Sequence, residues 1–182
     1  MKEISMHILD ITMNSIKADA TLVEIKIEDS IKNNWLKITV TDNGRGMSEE
    51  VIERVTNPFF TTRTTRKVGL GLPMLKEACE RCGGYLKIES ELGKGTKVFC
   101  CFERDNIDRA PLGNVGETIM TIINSGNNVE LIYIHKTDEG EFVFDTKEVK
   151  KILEGMDIND MNVLLWIKEY INENIKNLVN NQ

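Results

Sequence analysis

Six residues, Val23-Glu24-Ile25-Lys26-Ile27-Glu28, alternate apolar and charged without a break. A side-chain period of two puts the three apolar residues on one side of a strand and the charges on the other. The chain must therefore build a sheet with one covered and one open face. The flanking pattern supplies the cover. A helix is expected from Glu3 to Ala18, ahead of the strand Leu22 to Glu28, and an Asn33-Asn34 turn leads to a second strand, Leu36 to Thr41. Ser48-Glu-Glu opens a short helix near Ser48 to Val55, with a hydroxyl cap and two acids at the positive end of the dipole. Pro73 to Arg81 reads as a helix with proline in its first turn and Gly83-Gly84 at its end. Two strands follow, Tyr85 to Ser90 and Thr96 to Phe102, joined by the turn Leu-Gly93-Lys-Gly95. The fold class this implies is α+β: a two-layer α/β sandwich in which a mixed sheet carries helices on one face.

A charged run from Glu103 to Arg109, ending in Ala-Pro-Leu-Gly, marks a boundary near Asn106 to Gly113. It divides the chain into a domain of residues 1–105 and a segment of residues 106–182. That segment reads as a helix (Asn114 to Asn124), a hairpin (Glu130 to His135 and Glu141 to Asp145 about Asp138-Glu-Gly140) and two further helices. The last helix, about Asp160 to Val179, has Val163, Leu164, Ile167, Ile171, Ile175 and Leu178 on one stripe. Such a stripe either packs on its own molecule or forms a dimer or partner surface, and both readings stand at this point.

The 182 residues carry a net charge of −6, with no apolar run of membrane-spanning length and no signal-peptide core at the start. A cytoplasmic protein without nucleic-acid or membrane partners is expected, since phosphate contacts need clustered cations. Cys79-x-x-Cys82 and Cys100-Cys101 have the spacing of metal or redox chemistry. Cys79 lies on the apolar face of its helix and Cys100 and Cys101 end a strand, so buried inert thiols are the simpler reading, with Cys82 nearer the surface beside Gly83.

Four short motifs fall in order along the first hundred residues: Asp10-Ile-Thr-Met-Asn14, Asp42-Asn-Gly44-Arg-Gly46, Asn57-Pro-Phe-Phe-Thr-Thr-Arg63 and Gly69-Leu70-Gly71-Leu72. Asn14 is mid-helix, where a neutral amide ligates Mg²⁺ without adding charge to a crowded phosphate site. Asp10 stands one turn earlier on the same face, as an acid able to steer a nucleophile or as a surface aspartate. Asp42 closes an apolar strand; alone, Asp-Asn-Gly would be a turn signal. Glycines at 44 and 46 permit positive φ and close approach of a ligand to the backbone. A glycine-rich entry to the helix at Gly71 offers amides and a dipole end to a phosphate.

Their order and spacing, over roughly residues 3–103, resemble the ATP-binding fold shared by sensor histidine kinases, type II topoisomerases, heat-shock chaperones and mismatch-repair ATPases (the GHKL, or Bergerat-fold, superfamily). The Phe-Phe-Thr-Thr-Arg63 run and the closing Gly-Gly-Tyr-Leu-Lys-Ile-Glu-Ser-Glu-Leu-Gly-Lys-Gly-Thr96 are similar to the histidine-kinase branch, and Asn14-Ser-Ile-Lys-Ala-Asp-Ala to mismatch-repair ATPases. The resemblance implies ATP and Mg²⁺ as cofactors. It implies that Asn14 holds the metal, Asp42 accepts a hydrogen bond from the adenine amino group, and Gly44, Gly46 and Met47 flank the base. Lys17 meets a phosphate oxygen or is simply solvated. Thr61, Thr62 and Arg63 offer hydroxyls and a cation to the phosphates, the 69–72 amides receive a phosphate, and Thr96 helps hold the adenine end. Phe59 and Phe60 anchor the base of a lid or fill the core. The dimerising helical hairpin of histidine kinases is not expected in this chain. Anti-sigma-factor kinases of this fold lack it too and act on a partner, so the expectation is an ATP-dependent kinase, with Asp10 as catalytic acid–base, acting in trans on a protein yet to be identified. The alternatives are an ATP-gated binding module or a slow ATPase, as a monomer or a homodimer.

Overall fold

The computed structural model describes residues 2–57, 71–125 and 128–182. Helix α1 (Ile4–Lys17) leads into strands β1 (Leu22–Ser30) and β2 (Trp35–Asp42). Then come α2 (Glu49–Val55), α3 (Gly71–Arg81), β3 (Tyr85–Glu91) and β4 (Gly95–Glu103). Beyond a linker lie α4 (Val115–Asn124), β5 (Glu130–Thr137), β6 (Glu141–Asp145), α5 (Thr146–Ile152) and α6 (Met161–Asn180). Ser48 Oγ caps α2 by accepting from Val51 N, and Asn114 and Asp160 cap α4 and α6 in the same way.

All six strands join one mixed sheet in the order β3-β4-β2-β1-β5-β6. The chain belongs to the α+β class, with β1 antiparallel to β2 on one side and parallel to β5 on the other. Val23, Ile25 and Ile27 face the helices with Leu36, Ile38, Val40, Val98, Phe102 and Tyr133, all buried. Glu24, Lys26 and Glu28 lie on the open face. The covering layer brings Ile4, Ile8 and Ile11 from α1, Leu75 and Cys79 from α3, Ile119 from α4 and Ile167 from α6 onto that face. Each such side chain contributes about 1.5–3 kcal/mol when fully buried.

The C-terminal segment shares this core. Residues Val163, Leu164, Ile167 and Ile171 of the α6 stripe are buried, and Ile175 and Leu178 pack against them, so the stripe is used within the molecule. The linker also finishes α1. Ile4 N and Ser5 N, unpaired inside the helix, donate to Pro111 O (3.0 Å) and Leu112 O (2.8 Å). At the far edge the Asp138 carboxylate receives Ser30 Oγ, Ile31 N and Lys32 N, tying the β5–β6 turn to the β1–β2 turn.

All four cysteines are free thiols. Cys82 is 2% exposed, correcting its expected place near the surface. Gly83, with φ +68°, turns the chain so that Gly84 N donates to Cys79 O and Cys82 O accepts from Glu103 N, which folds the thiol beneath β4. Burial pushes the Cys82 and Cys101 thiols above their usual pKa, as expected of inert sulfur. No group of three metal-ligating side chains occurs among the described residues, and none of their helices is long and apolar enough to cross a membrane.

Candidate functional site

A cavity of about 370 Å³ opens between α1, the end of β2, α2 and the start of β4. Ile11, Met47, Val51, Val55, Leu72 and Val98 give it apolar walls, while Asn14, Lys17, Asp42 and Thr96 supply polar groups at separate points. An apolar slot with a few placed polar groups is the usual form of a small-molecule site.

Asp42 is the most constrained of these. Its Oδ1 accepts from Gly44 N (2.9 Å) and Thr96 N (3.2 Å), and its Oδ2 accepts from Ser15 Oγ (2.5 Å). A carboxylate has about four acceptor directions, so three fixed donors leave one, on Oδ2. The carboxylate is held by α1, by its own loop and by β4 before any ligand arrives.

The 43–48 loop is fastened on three sides. Asn43 Oδ1 accepts from Thr21 N and Leu22 N, Arg45 N donates to Ala18 O (2.9 Å), and Met47 N donates to Ser90 Oγ (2.8 Å). The Arg45 guanidinium also reaches Lys17 O and lies 3.7 Å from Asp19. Gly46 has φ +68°, and a Cβ there would meet Glu91 O at 2.0 Å, so glycine is obligatory. Gly44 differs from expectation: its φ is not positive, and what excludes a side chain is Ala18 O, 2.7 Å from where a Cβ would sit.

Helix periodicity puts Asp10 and Asn14 one turn apart at the cavity's α3 side. Asn14 lines the cavity; Asp10 sits beside it, its Oδ2 3.2 Å from where a Cβ on Gly71 would stand at the start of α3. Among the described residues the side chains of Asp10, Asn14 and Lys17 make no hydrogen bond or ion pair, although Asp10 and Asn14 are half-buried. Their polar atoms are open to solvent and uncommitted within that part of the protein. His7 is buried a turn above Asp10, and burial holds its pKa below the usual value.

The expected residues Asn14, Lys17, Asp42, Gly46, Met47, Leu72 and Thr96 thus line one cavity, with Asp10, Gly44 and Gly71 immediately behind its walls. Thr61, Thr62, Arg63, Gly69 and Leu70, with Phe59 and Phe60, lie outside the described residues.

The family model for histidine kinase-, DNA gyrase B-, and HSP90-like ATPases matches residues 3–106, more than half of the chain. The chain belongs to this family. Sensor kinase CckA of Brucella abortus (strain 2308) is 35% identical over 106 residues, which span 56% of this chain and 11% of that protein. Sensor histidine kinase ZraS of Escherichia coli (strain K12) is 32% identical over 102 residues, 56% of this chain and 22% of that one. The chain therefore matches less than a quarter of the length of these two relatives. The ATPase domain of Aquifex aeolicus MutL, solved with ADP, matches 85% of this chain and 70% of that chain at 18% identity and a TM-score of 0.52. That likeness reports the fold.

Within this histidine kinase-, gyrase B- and HSP90-like domain, Ser15, Ser90 and Arg45 are site residues that the motif reading passed over. Ser15 had a signal. It shares the stripe of Ile8 and Ile11 that faces the sheet, and a hydroxyl at a core position of an amphipathic helix needs a partner. Ser90 had none, because its role depends on where β3 passes the loop; there its Oγ donates to Gly95 O and lies 2.8 Å from Thr96 Oγ1.

Proposed function

We propose that the chain binds Mg-ATP in this cavity and transfers the γ-phosphate to a partner protein in trans. The observation that carries the reading is the Asp42 carboxylate, fixed by three donors with one acceptor direction left against an apolar slot. One remaining acceptor suits the 6-amino group of adenine; guanine carries a carbonyl at that position, and its adjacent N1–H and 2-amino donors would call for two free acceptors. Family membership and the neighbour solved with ADP support a nucleotide as the ligand.

The residues present also fit a metal. Asn14 offers a neutral, uncommitted amide oxygen, and Mg²⁺ held there would offset the charge of the phosphates. Asp10, one turn away, orients the attacking hydroxyl of the partner and takes its proton as the phosphoryl group moves. Lys17 at the cavity mouth meets an outer phosphate oxygen. The buried setting of His7 argues against it as the acceptor, in keeping with transfer to another protein.

The test is incubation of the pure chain with γ-labelled ATP and Mg²⁺, alone and with cell extract, following label on protein and as free phosphate. Label on an extract protein, lost with Asn14→Ala, is expected. Nucleotide binding without transfer or release would replace the kinase with an ATP-gated binding module.

A further inference from the structure

Helix α6 buries one stripe and leaves a second one bare. Met161, Leu165, Trp166 and Tyr170 are 60%, 47%, 48% and 38% exposed. They form two adjacent ridges one turn long, 161–165 and 166–170, covering about 14 Å of helix. Their placement is fixed rather than loose. Trp166 stacks on Tyr170 with centroids 5.0 Å apart and planes at 13°, and Tyr170 meets the buried Phe142 of β6 edge-on at 5.6 Å. The aromatic pair is thus anchored to the core, and little side-chain entropy remains to be lost when something covers it.

The rim of this patch is mainly acidic, with Lys176 the exception one turn beyond Glu173. Asp157 and Asp160 lie on the approach to the helix, and the ridge of Met161 and Leu165 continues as Glu169 and Glu173, all four exposed. Among the described residues none of these acids forms an ion pair; Asp157 and Asp160 make only local contacts to Asn159 and Asn162, and on this helix Lys168 pairs instead with Glu117. The charge is regional. Residues 138–182 hold ten Asp and Glu against five Lys, a net −5 of the chain's −6.

We infer that this face of α6 is the docking site for a basic amphipathic segment of a partner protein, its apolar side on Trp166 and Tyr170 and its cations against the four acids. A second copy of the chain fits less well, since it would bring −5 against −5. Tryptophan and tyrosine in a preset pair are the side chains that carry most binding energy at such contacts. The site lies over β5 and β6, while the cavity lies at β2 and β4 on the other side of β1, so it stands whether or not phosphate is transferred.

The probe is a fluorescein-labelled 18-residue helical peptide of leucine and lysine, with a leucine and glutamate counterpart, titrated with the full chain by anisotropy at low and high salt. Binding of the lysine peptide, weakened by salt, is expected, with none of the glutamate peptide. Trp166→Ala leaves every charge in place and should weaken binding about tenfold or more. The exposed double variant Glu169→Lys, Glu173→Lys should lose the lysine peptide and gain the glutamate one. Equal affinity of Trp166→Ala and the native chain, or no binding at all, would overturn the assignment. So would a concentration-dependent dimer in sedimentation that Trp166→Ala abolishes, since the face would then belong to a second copy.

Discussion

Ser15 Oγ, on the sheet-facing side of α1, donates to Asp42 Oδ2 at the end of β2 across 2.5 Å. The residue that follows Asn14, the proposed metal ligand, therefore orients the carboxylate that would read the base. In the proposed binding mode one helix would couple the two ends of the nucleotide. Removing the hydroxyl leaves Asp42 its two backbone donors but frees Oδ2 to rotate or to recruit water.

For Ser15→Ala we expect the Kd for ATP to rise about tenfold, roughly 1.4 kcal/mol, as for a hydrogen bond to a charged group. Asp42→Asn should abolish binding, because its amide would set N–H groups against Gly44 N, Thr96 N or the adenine amine. Calorimetric titration with ATP and GTP checks both. An unchanged affinity in Asp42→Asn would refute the adenine assignment.

Asn14 and Asp10 divide by role. Asn14→Ala should lose the Mg²⁺-dependent part of ATP affinity while binding in EDTA is spared; equal loss under both conditions would remove its metal role. Asp10→Asn should leave the Kd within about twofold and lower turnover by about 10²-fold or more, the scale of a general base. Turnover as in the native chain would return Asp10 to a surface aspartate.

Much of this arrangement could be read from local pattern. The strict alternation at Val23 to Glu28 announces β1 and its covered face, and the motif glycines announce the loop that bears Asp42. What escaped is what depends on distant chain. β5 pairs parallel to β1, with Ile25 opposite Tyr133, and no local periodicity reports a partner some hundred residues away. Cys82 looked exposed because it ends a helix, yet the left-handed turn at Gly83 buries it. On α6 the long aliphatic stripe drew attention, while the face left open carries the aromatic pair, whose spacing alone does not say which side meets solvent.

Gly46→Ala tests the loop that sets the cavity floor. The substitution adds a methyl 2.0 Å from Glu91 O at φ +68°, where both the contact and the backbone region oppose it. A cost of about 3 kcal/mol is expected, lowering Tm by about 6–12 °C in a chain of this size, with loss of nucleotide binding. A Tm within 2 °C of the native value, by calorimetry, would mean that the loop relaxes and that Gly46 does not hold the site.

Acid should loosen the protein through His135. Its ring is buried on β5 and shares a 2.7 Å hydrogen bond between Nδ1 and the Tyr133 hydroxyl, while Nε2 has no partner among the described residues. Burial pushes its pKa down from 6.5 to about 4, against the opposing pull of Asp29, which is itself paired with Arg104. The folded state therefore keeps the ring neutral at pH values where the unfolded chain takes up a proton. The contribution is fully present above pH 6.5 and is lost as pH falls towards 4, about 2 kcal/mol by pH 5 and about 3 kcal/mol in full. His7, whose pKa burial also lowers, adds a loss of the same sign. Urea midpoints for the native chain and His135→Phe at pH 7.5 and pH 5 separate the two. The variant should be less stable at pH 7.5, because the Tyr133 hydroxyl loses its partner, but it should lose less stability between pH 7.5 and pH 5. Parallel curves would show that His135 titrates alike in the folded and unfolded states and takes no part in the acid transition.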